Sequence, residues 1–82
     1  MKLHRFQTLP ETDQFDLIDE QAVFLAERND GYYTIRLYEL DGFYVELYCH
    51  SHFNVIIKTK AFRDTNKLEP YLEEINIGEL ID

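Results

Sequence analysis

YYTIRLYELDGFYVELY, residues 32–48, contains two runs of alternating residue character on either side of Asp41-Gly42. Short alternating runs rich in Tyr, Val, Ile and Phe and bounded by Asp and Gly are typical of β-strands. Extending the pattern outward predicts four strands, at about 22–28, 32–39, 43–50 and 54–62. Because the connections are short, each strand is expected to pair with the next, giving an antiparallel β-meander in the order 1-2-3-4.

The turns decide which residues of neighbouring strands face each other. A two-residue turn at Asp41-Gly42 would place Leu37 opposite Glu46, which mixes apolar and charged residues on one face. A three-residue loop with the glycine in the left-handed region places Leu37 opposite Val45 instead. Opposed residues share a face, so we predict three-residue loops here and at Asn29-Asp30-Gly31.

With these loops the sheet divides into a core face and a second face. The predicted core face carries Val23, Leu25, Tyr33, Ile35, Leu37, Phe43, Val45, Leu47, Cys49, Val55, Ile57 and Ala61. The second face carries Phe24, Tyr32, Thr34, Arg36, Tyr38, Tyr44, Glu46, Tyr48, Ile56, Lys58, Lys60 and Phe62. A charged row, Arg36–Glu46–Lys58, crosses the second face, where cross-strand pairs of opposite charge contribute about 0.2–1 kcal/mol each.

Helices are predicted at both ends of the meander. Thr8-Leu9-Pro10-Glu11 matches a capping box and predicts a helix at about 9–20. Residues 1–8 either dock as one helical turn or fray. After the last strand, Pro70 disrupts a helix interior, so either a short turn at 65–68 precedes a helix from about Glu69, or one helix is kinked. Gly78 is the predicted end of this helix.

The overall prediction is an α+β fold in one domain, residues 1–82, with the N-terminal and C-terminal helices both packed on the core face. The net charge of −8 disfavours nucleic acid and anionic membranes as partners, because both require cationic surfaces. One Cys, no signal peptide and no apolar run of transmembrane length predict no internal disulfide and a cytoplasmic location.

Cys49-His50-Ser51-His52 is the cluster that most resembles a metal or nucleophile site. In a strand, Cys49 and His50 point to opposite faces, so the two side chains do not readily share a metal ion. We therefore predict a buried structural thiol followed by a polar loop, and neither a metal nor a cofactor. A small metal- or thiol-dependent enzyme at Cys49, His50 and His52 is the alternative. The carboxylates of the first helix lack calcium-loop spacing and are predicted to be solvated: Asp13, Asp16, Asp19 and Glu20.

The second face is the predicted interaction surface, because two helices on the core face would leave it open. It brings together Phe24, Arg36, Tyr38, Tyr44, Glu46, Tyr48 and Ile56. Tyr is frequent at interfaces, yet Tyr hydroxyls and long Arg and Lys stems are also typical of a solvated sheet face. We predict a small, acidic, non-catalytic protein-interaction module that forms a homodimer through this face or binds another protein. The alternative is an inhibitor- or immunity-type protein whose acidic helices cover a basic site on its target.

Two segments, FLAERNDGYYTIRLYELDGFYVELY (Phe24–Tyr48) and LEPYLEEI (Leu68–Ile75), resemble a set of small uncharacterised bacterial proteins of similar length. The resemblance spans most of the chain. It implies the same helix–meander–helix architecture. It implies no activity, cofactor or catalytic residue.

Overall fold

The four strands form one antiparallel sheet in the order β1-β2-β3-β4, as predicted. The computed structural model describes residues 1–53 and 55–74, the last two by their backbone alone. The elements are α1 (Leu3–Thr8), α2 (Glu11–Gln21), β1 (Val23–Asp30), β2 (Tyr33–Leu40), β3 (Phe43–His50), β4 (Ile56–Phe62), a 3₁₀ turn (Thr65–Leu68) and α3 (Glu69–Glu74). The predicted α+β class, the meander and the helices at its two ends are confirmed.

Both hairpin turns have two residues, so the predicted three-residue loops are wrong. Asp41 and Gly42 have φ values of 49° and 89°, and Leu40 pairs directly with Phe43. Positive φ at both central positions is the geometry of a type I′ turn, whose twist matches that of the strands. In the first hairpin, Asp30 likewise pairs with Tyr33. The two-residue turn places Leu37 opposite Glu46, which the sequence argument had rejected.

The sheet buries both of its faces, and the two ends of the chain pack on opposite sides. The α2 face is packed by α1 and α2, with a core of Phe6, Ile18, Leu40, Phe43, Val45, Leu47 and Cys49. The α3 face is packed by the 3₁₀ turn and α3, with a core of Ile35, Leu37, Tyr48, Phe62 and Tyr71. The prediction that both helices share one face is therefore wrong. It assumed one apolar face, whereas this sheet distributes its apolar residues over two.

The N-terminal region forms two helices and lacks the predicted capping box. Pro10 is the N-cap of α2, and Thr8 donates its hydroxyl to the Arg5 carbonyl at 2.7 Å instead of capping α2. α1 is docked rather than frayed, since Phe6 is completely buried and its ring lies 5.5 Å from that of Phe43. This docking is what closes one end of the α2 face.

At the C-terminal end, the first of the two predicted alternatives is confirmed. A 3₁₀ turn over Thr65–Leu68 precedes a helix that begins at Glu69. Asp64 caps the turn by accepting the Asn66 backbone N–H at 2.9 Å. Placing Pro70 in the first turn of α3 avoids the loss of an internal hydrogen bond. The predicted end at Gly78 lies outside the described residues.

Both edge strands are irregular. The pairing of β1 with β2 shifts between Phe24 and Ala26, and the pairing of β4 skips Ile57. An extra residue in an edge strand is a β-bulge, which bends the strand and discourages pairing with another chain. Among the helices of the described residues, none is long and apolar enough to cross a membrane.

Candidate functional site

The register divides the predicted interaction surface between the two faces of the sheet. Phe24, Arg36 and Tyr38 lie on the α2 face, and Ile56 joins them because the bulge at Ile57 places it opposite Cys49. The remaining three predicted residues lie on the α3 face: Tyr44, Glu46 and Tyr48. The seven residues do not form one surface, so the homodimer contact predicted through them has no corresponding face.

The four residues on the α2 face line an open groove of about 450 Å³ beside α2. Its floor runs from Phe24 on β1 through Tyr38 and Leu47 to Ile56 on β4. The complete lining is Phe15, Asp16, Ile18, Asp19, Ala22, Phe24, Arg36, Tyr38, Leu47 and Ile56. Phe24 and Ile56 are 54% and 41% exposed, so large apolar side chains meet water at both sides of the groove. We call this feature the α2 groove.

The contacts around the α2 groove fix its shape and charge. Phe24 packs edge-on against Tyr38, with ring centroids 5.7 Å apart. Arg36 donates from Nε to Glu27 Oε1 at 3.0 Å, and this hydrogen bond raises the pKa of the guanidinium. Asp16 and Asp19 are exposed, and no cation of the described residues is within ion-pair distance of either carboxylate. The groove therefore combines an apolar floor with an acidic wall.

Glu46, on the opposite face, belongs to a buried polar cluster instead of the predicted charged row. Tyr71 donates its hydroxyl to Glu46 Oε2 at 2.6 Å, and Arg28 Nη2 lies 3.6 Å from the same oxygen. The Arg28 guanidinium also lies 5.3 Å from the centre of the Tyr71 ring. Burial, with the Glu46 hydrogen bond, raises the pKa of Tyr71. Burial alone would lower the pKa of Arg28, but Tyr71 and Glu46 more than offset this and raise it.

A larger cleft of about 810 Å³ borders β4 and this cluster. Three of its polar side chains hold the helices to the sheet. Gln14 donates to the Phe6 carbonyl at 2.8 Å and accepts from the Thr59 hydroxyl at 2.8 Å, while Gln7 donates to the Ala61 carbonyl at 3.3 Å. The Nε of Arg28 has no hydrogen-bond partner among the described residues. Most polar side chains of the cleft are engaged in these contacts, in the cluster around Glu46 or over aromatic rings, so we take the α2 groove as the candidate site.

Tyr44 and Tyr48, the tyrosines of the predicted interaction surface that lie on the α3 face, do not form an open aromatic surface. Tyr48 is only 8% exposed, and the Nζ atoms of Lys58 and Lys60 lie 4.8 and 5.3 Å from its ring centre. Tyr44 is half-buried, with its ring 5.8 Å from that of Phe62. The two lysine side chains therefore lie over the Tyr48 ring in cation–π contacts and shield it from solvent.

Cys49 is buried, as predicted, within the core of the α2 face. His50 lies on the other face, where its Nδ1 accepts the backbone N–H groups of His52 and Phe53 at 3.2 and 3.3 Å. His50 therefore organises the turn after β3. No group of three or more potential metal ligands occurs within residues 1–53 and 55–74.

The sequence analysis did not predict two features of these sites, the acidic wall and the buried cluster around Glu46. The acidic wall had a signal, since Asp16 and Asp19 each follow an apolar residue of α2, Phe15 and Ile18, that packs on the sheet. Residues next to the apolar stripe of a helix lie at the border of its buried face. The cluster around Glu46 had a weaker signal, a single carboxylate within the apolar run FYVELY.

Comparisons with protein-family models, with curated proteins and with solved structures found no match to this chain. Function is therefore inferred from the geometry and charge of the α2 groove. Nothing in these comparisons favours one chemistry over another.

Proposed function

We propose that this chain is a non-catalytic, cytoplasmic protein-interaction module that binds its partner in the α2 groove. The observation that carries the proposal is the exposure of Phe24 and Ile56 at the two sides of a groove whose floor, Tyr38 and Leu47, is already packed. Exposed apolar side chains that line one groove are typical of interaction sites. Burial of this area on association supplies the driving force.

A partner other than a second copy is favoured by charge. In a two-fold contact between two α2 grooves, each α2 would approach the other with its own Asp16 and Asp19. Like charges brought together at an interface oppose association. A partner with cationic side chains beside its apolar contact residues has no such penalty.

Site-specific photocrosslinking tests the proposal in cells of the source organism. Benzoylphenylalanine replaces Phe24 in one variant and Tyr32 in a matched variant; Tyr32 is exposed in the first hairpin turn, outside the groove lining. We expect a discrete protein adduct from position 24 that is absent from position 32 and is lost on adding Ile56→Lys. Equal adducts from both positions, or none from position 24, would contradict the proposal.

A second candidate function is that of an inhibitor- or immunity-type protein that covers a basic site. The observation that favours it is the density of exposed carboxylates on the 11 residues of α2: Glu11, Asp13, Asp16, Asp19 and Glu20. Exposed charges are screened over about 8–10 Å at physiological ionic strength. If these carboxylates drive association, the affinity should fall steeply as the salt concentration rises. If burial of the groove floor drives association, the affinity should change little.

A further inference from the structure

We infer that the partner presents a basic amphipathic α-helix, which lies across the sheet in the α2 groove, alongside α2. This inference rests on the proposed function and specifies its partner. Three properties of the described residues carry it: the length of the groove floor, the state of the sheet edges and the distribution of charge.

The floor has the length that a short helix covers. It reaches from Phe24 on one edge strand to Ile56 on the other, crossing β2 and β3. With neighbouring strands about 4.8 Å apart, four strands span about 14 Å between the outer strand axes. Phe24 pairs at Tyr38 and Ile56 at the level of Thr34, four residues along β2, so the floor is a diagonal of about 20 Å. A helix rises about 1.5 Å per residue, so about 13 residues cover this distance. That is enough for apolar anchors at i, i+3 or i+4, and i+7, the pattern by which helices bind grooves.

The edges of the sheet disfavour the other common mode, addition of an extended strand. β1 carries its bulge at Leu25, and β4 carries one at Ile57. Farther along β4, the Gln7 side chain already donates to the backbone carbonyl of Ala61. Bulges and covered backbone groups are the means by which sheets prevent edge pairing. The partner is therefore expected to contact side chains of the face rather than backbone of an edge.

The charge of the groove selects a basic helix. Asp16 and Asp19 form the wall along α2, while the cation that lines the groove, Arg36, is already bonded to Glu27. A helix packed beside α2 lies about 8–10 Å from its axis, which brings the flanking side chains of the partner to these carboxylates. Lys or Arg next to the apolar anchors would pair with them, and Asp or Glu would be repelled.

Fluorescence anisotropy with synthetic peptides tests the inference on the full chain. The probes are a labelled, stapled Leu/Lys helix with Leu at i, i+4 and i+7, the same helix with Glu in place of Lys, and a Leu/Lys peptide of equal composition in scrambled order. We expect saturable binding of the Leu/Lys helix, at least about tenfold tighter than either control peptide. Tenfold corresponds to about 1.4 kcal/mol, within reach of two exposed ion pairs and one apolar face.

Matched protein variants locate the contact. Ile56→Ser should weaken the Leu/Lys helix about tenfold, whereas Leu72→Ser, at a similarly exposed apolar residue of α3, should leave it unchanged. Asp16→Asn with Asp19→Asn should weaken binding and flatten its salt dependence. Equal binding of ordered and scrambled peptides, or an equal effect of Ile56→Ser and Leu72→Ser, would overturn the inference.

The two proposals fail in distinguishable ways. An adduct from position 24 in cells, without discrimination among the synthetic peptides, would retain the proposed function and overturn the helical partner. The absence of any adduct, together with no peptide binding, would contradict both the proposed function and the helical partner. A dimer of the chain that blocks the groove, detected by light scattering, would also overturn the helical partner.

Discussion

Tyr71→Phe tests whether the buried cluster around Glu46 holds α3 on the sheet. The substitution removes only the hydroxyl, which donates to Glu46 Oε2 at 2.6 Å. Glu46 is 6% exposed, so water cannot easily replace the lost donor. A hydrogen bond to a charged group contributes about 1.5–3 kcal/mol to stability. Arg28, 3.6 Å from the same oxygen, continues to compensate the charge, so the larger penalty of an unpaired buried charge is not expected.

We therefore expect Tyr71→Phe to lower the free energy of unfolding by about 2 kcal/mol, which for a domain of this size lowers Tm by about 8–16 °C. Urea and thermal denaturation followed by circular dichroism measure both quantities. Tyr44→Phe is the matched control, because Tyr44 is half-buried and its hydroxyl makes no hydrogen bond among the described residues. Equal stability of the two variants would refute the role assigned to the Tyr71 hydroxyl.

The same cluster predicts a dependence on high pH. Burial, aided by Glu46, raises the pKa of Tyr71 above its ordinary value, so above about pH 10 the unfolded chain releases this proton while the folded chain retains it. The stabilisation is complete below that pH and is lost as the pH rises, by up to about 1.4 kcal/mol per pH unit. The stability advantage of the wild type over Tyr71→Phe should therefore shrink above about pH 10. An advantage that stayed constant to pH 12 would contradict the assignment.

Two further predictions concern the cores of the two faces. Leu37→Ala and Leu47→Ala should each lower the free energy of unfolding by about 2–5 kcal/mol, since each removes a buried side chain from one of the two cores. Tyr44→Ala should lower the free energy of unfolding by less, because part of the Tyr44 ring is in water. Urea denaturation measures these changes, and a lower free energy of unfolding for only one of the two leucine variants would mean that only one face forms a core. Cys49 should react slowly with a thiol reagent in the native state and rapidly in urea, because its side chain is buried; equal rates would contradict its place in the core.

The element types followed from the sequence, whereas the register did not. Alternation and the Asp-Gly turn were sufficient to predict four strands in meander order. The register was then chosen so that all apolar residues shared one face, and this criterion rejected the pairing of Leu37 with Glu46 that the structure contains. The missing information was that Tyr71 and Arg28 satisfy the Glu46 carboxylate, which allows a charged residue to occupy a second core. Such a partner, 25 residues away in sequence for Tyr71, leaves no local pattern.

The division of the helices between two faces also explains why the α2 groove exists. α2 crosses the strands, since Gln14 bonds to Thr59 on β4 and the helix leads into β1. A helix about 10 Å wide covers only part of strands that are about 26 Å long. With α3 packed on the other face, α1 and α2 cover the end of the sheet at Leu40 and Phe43, and within residues 1–53 and 55–74 Ile56 remains 41% exposed at the other end. Because Tyr71 of α3 packs over Glu46 on the α3 face, α3 does not cover the α2 groove, the surface that we propose for a partner. Because Phe24 and Ile56 lie at the exposed sides of the groove and outside both cores, their substitution should change binding without unfolding the chain.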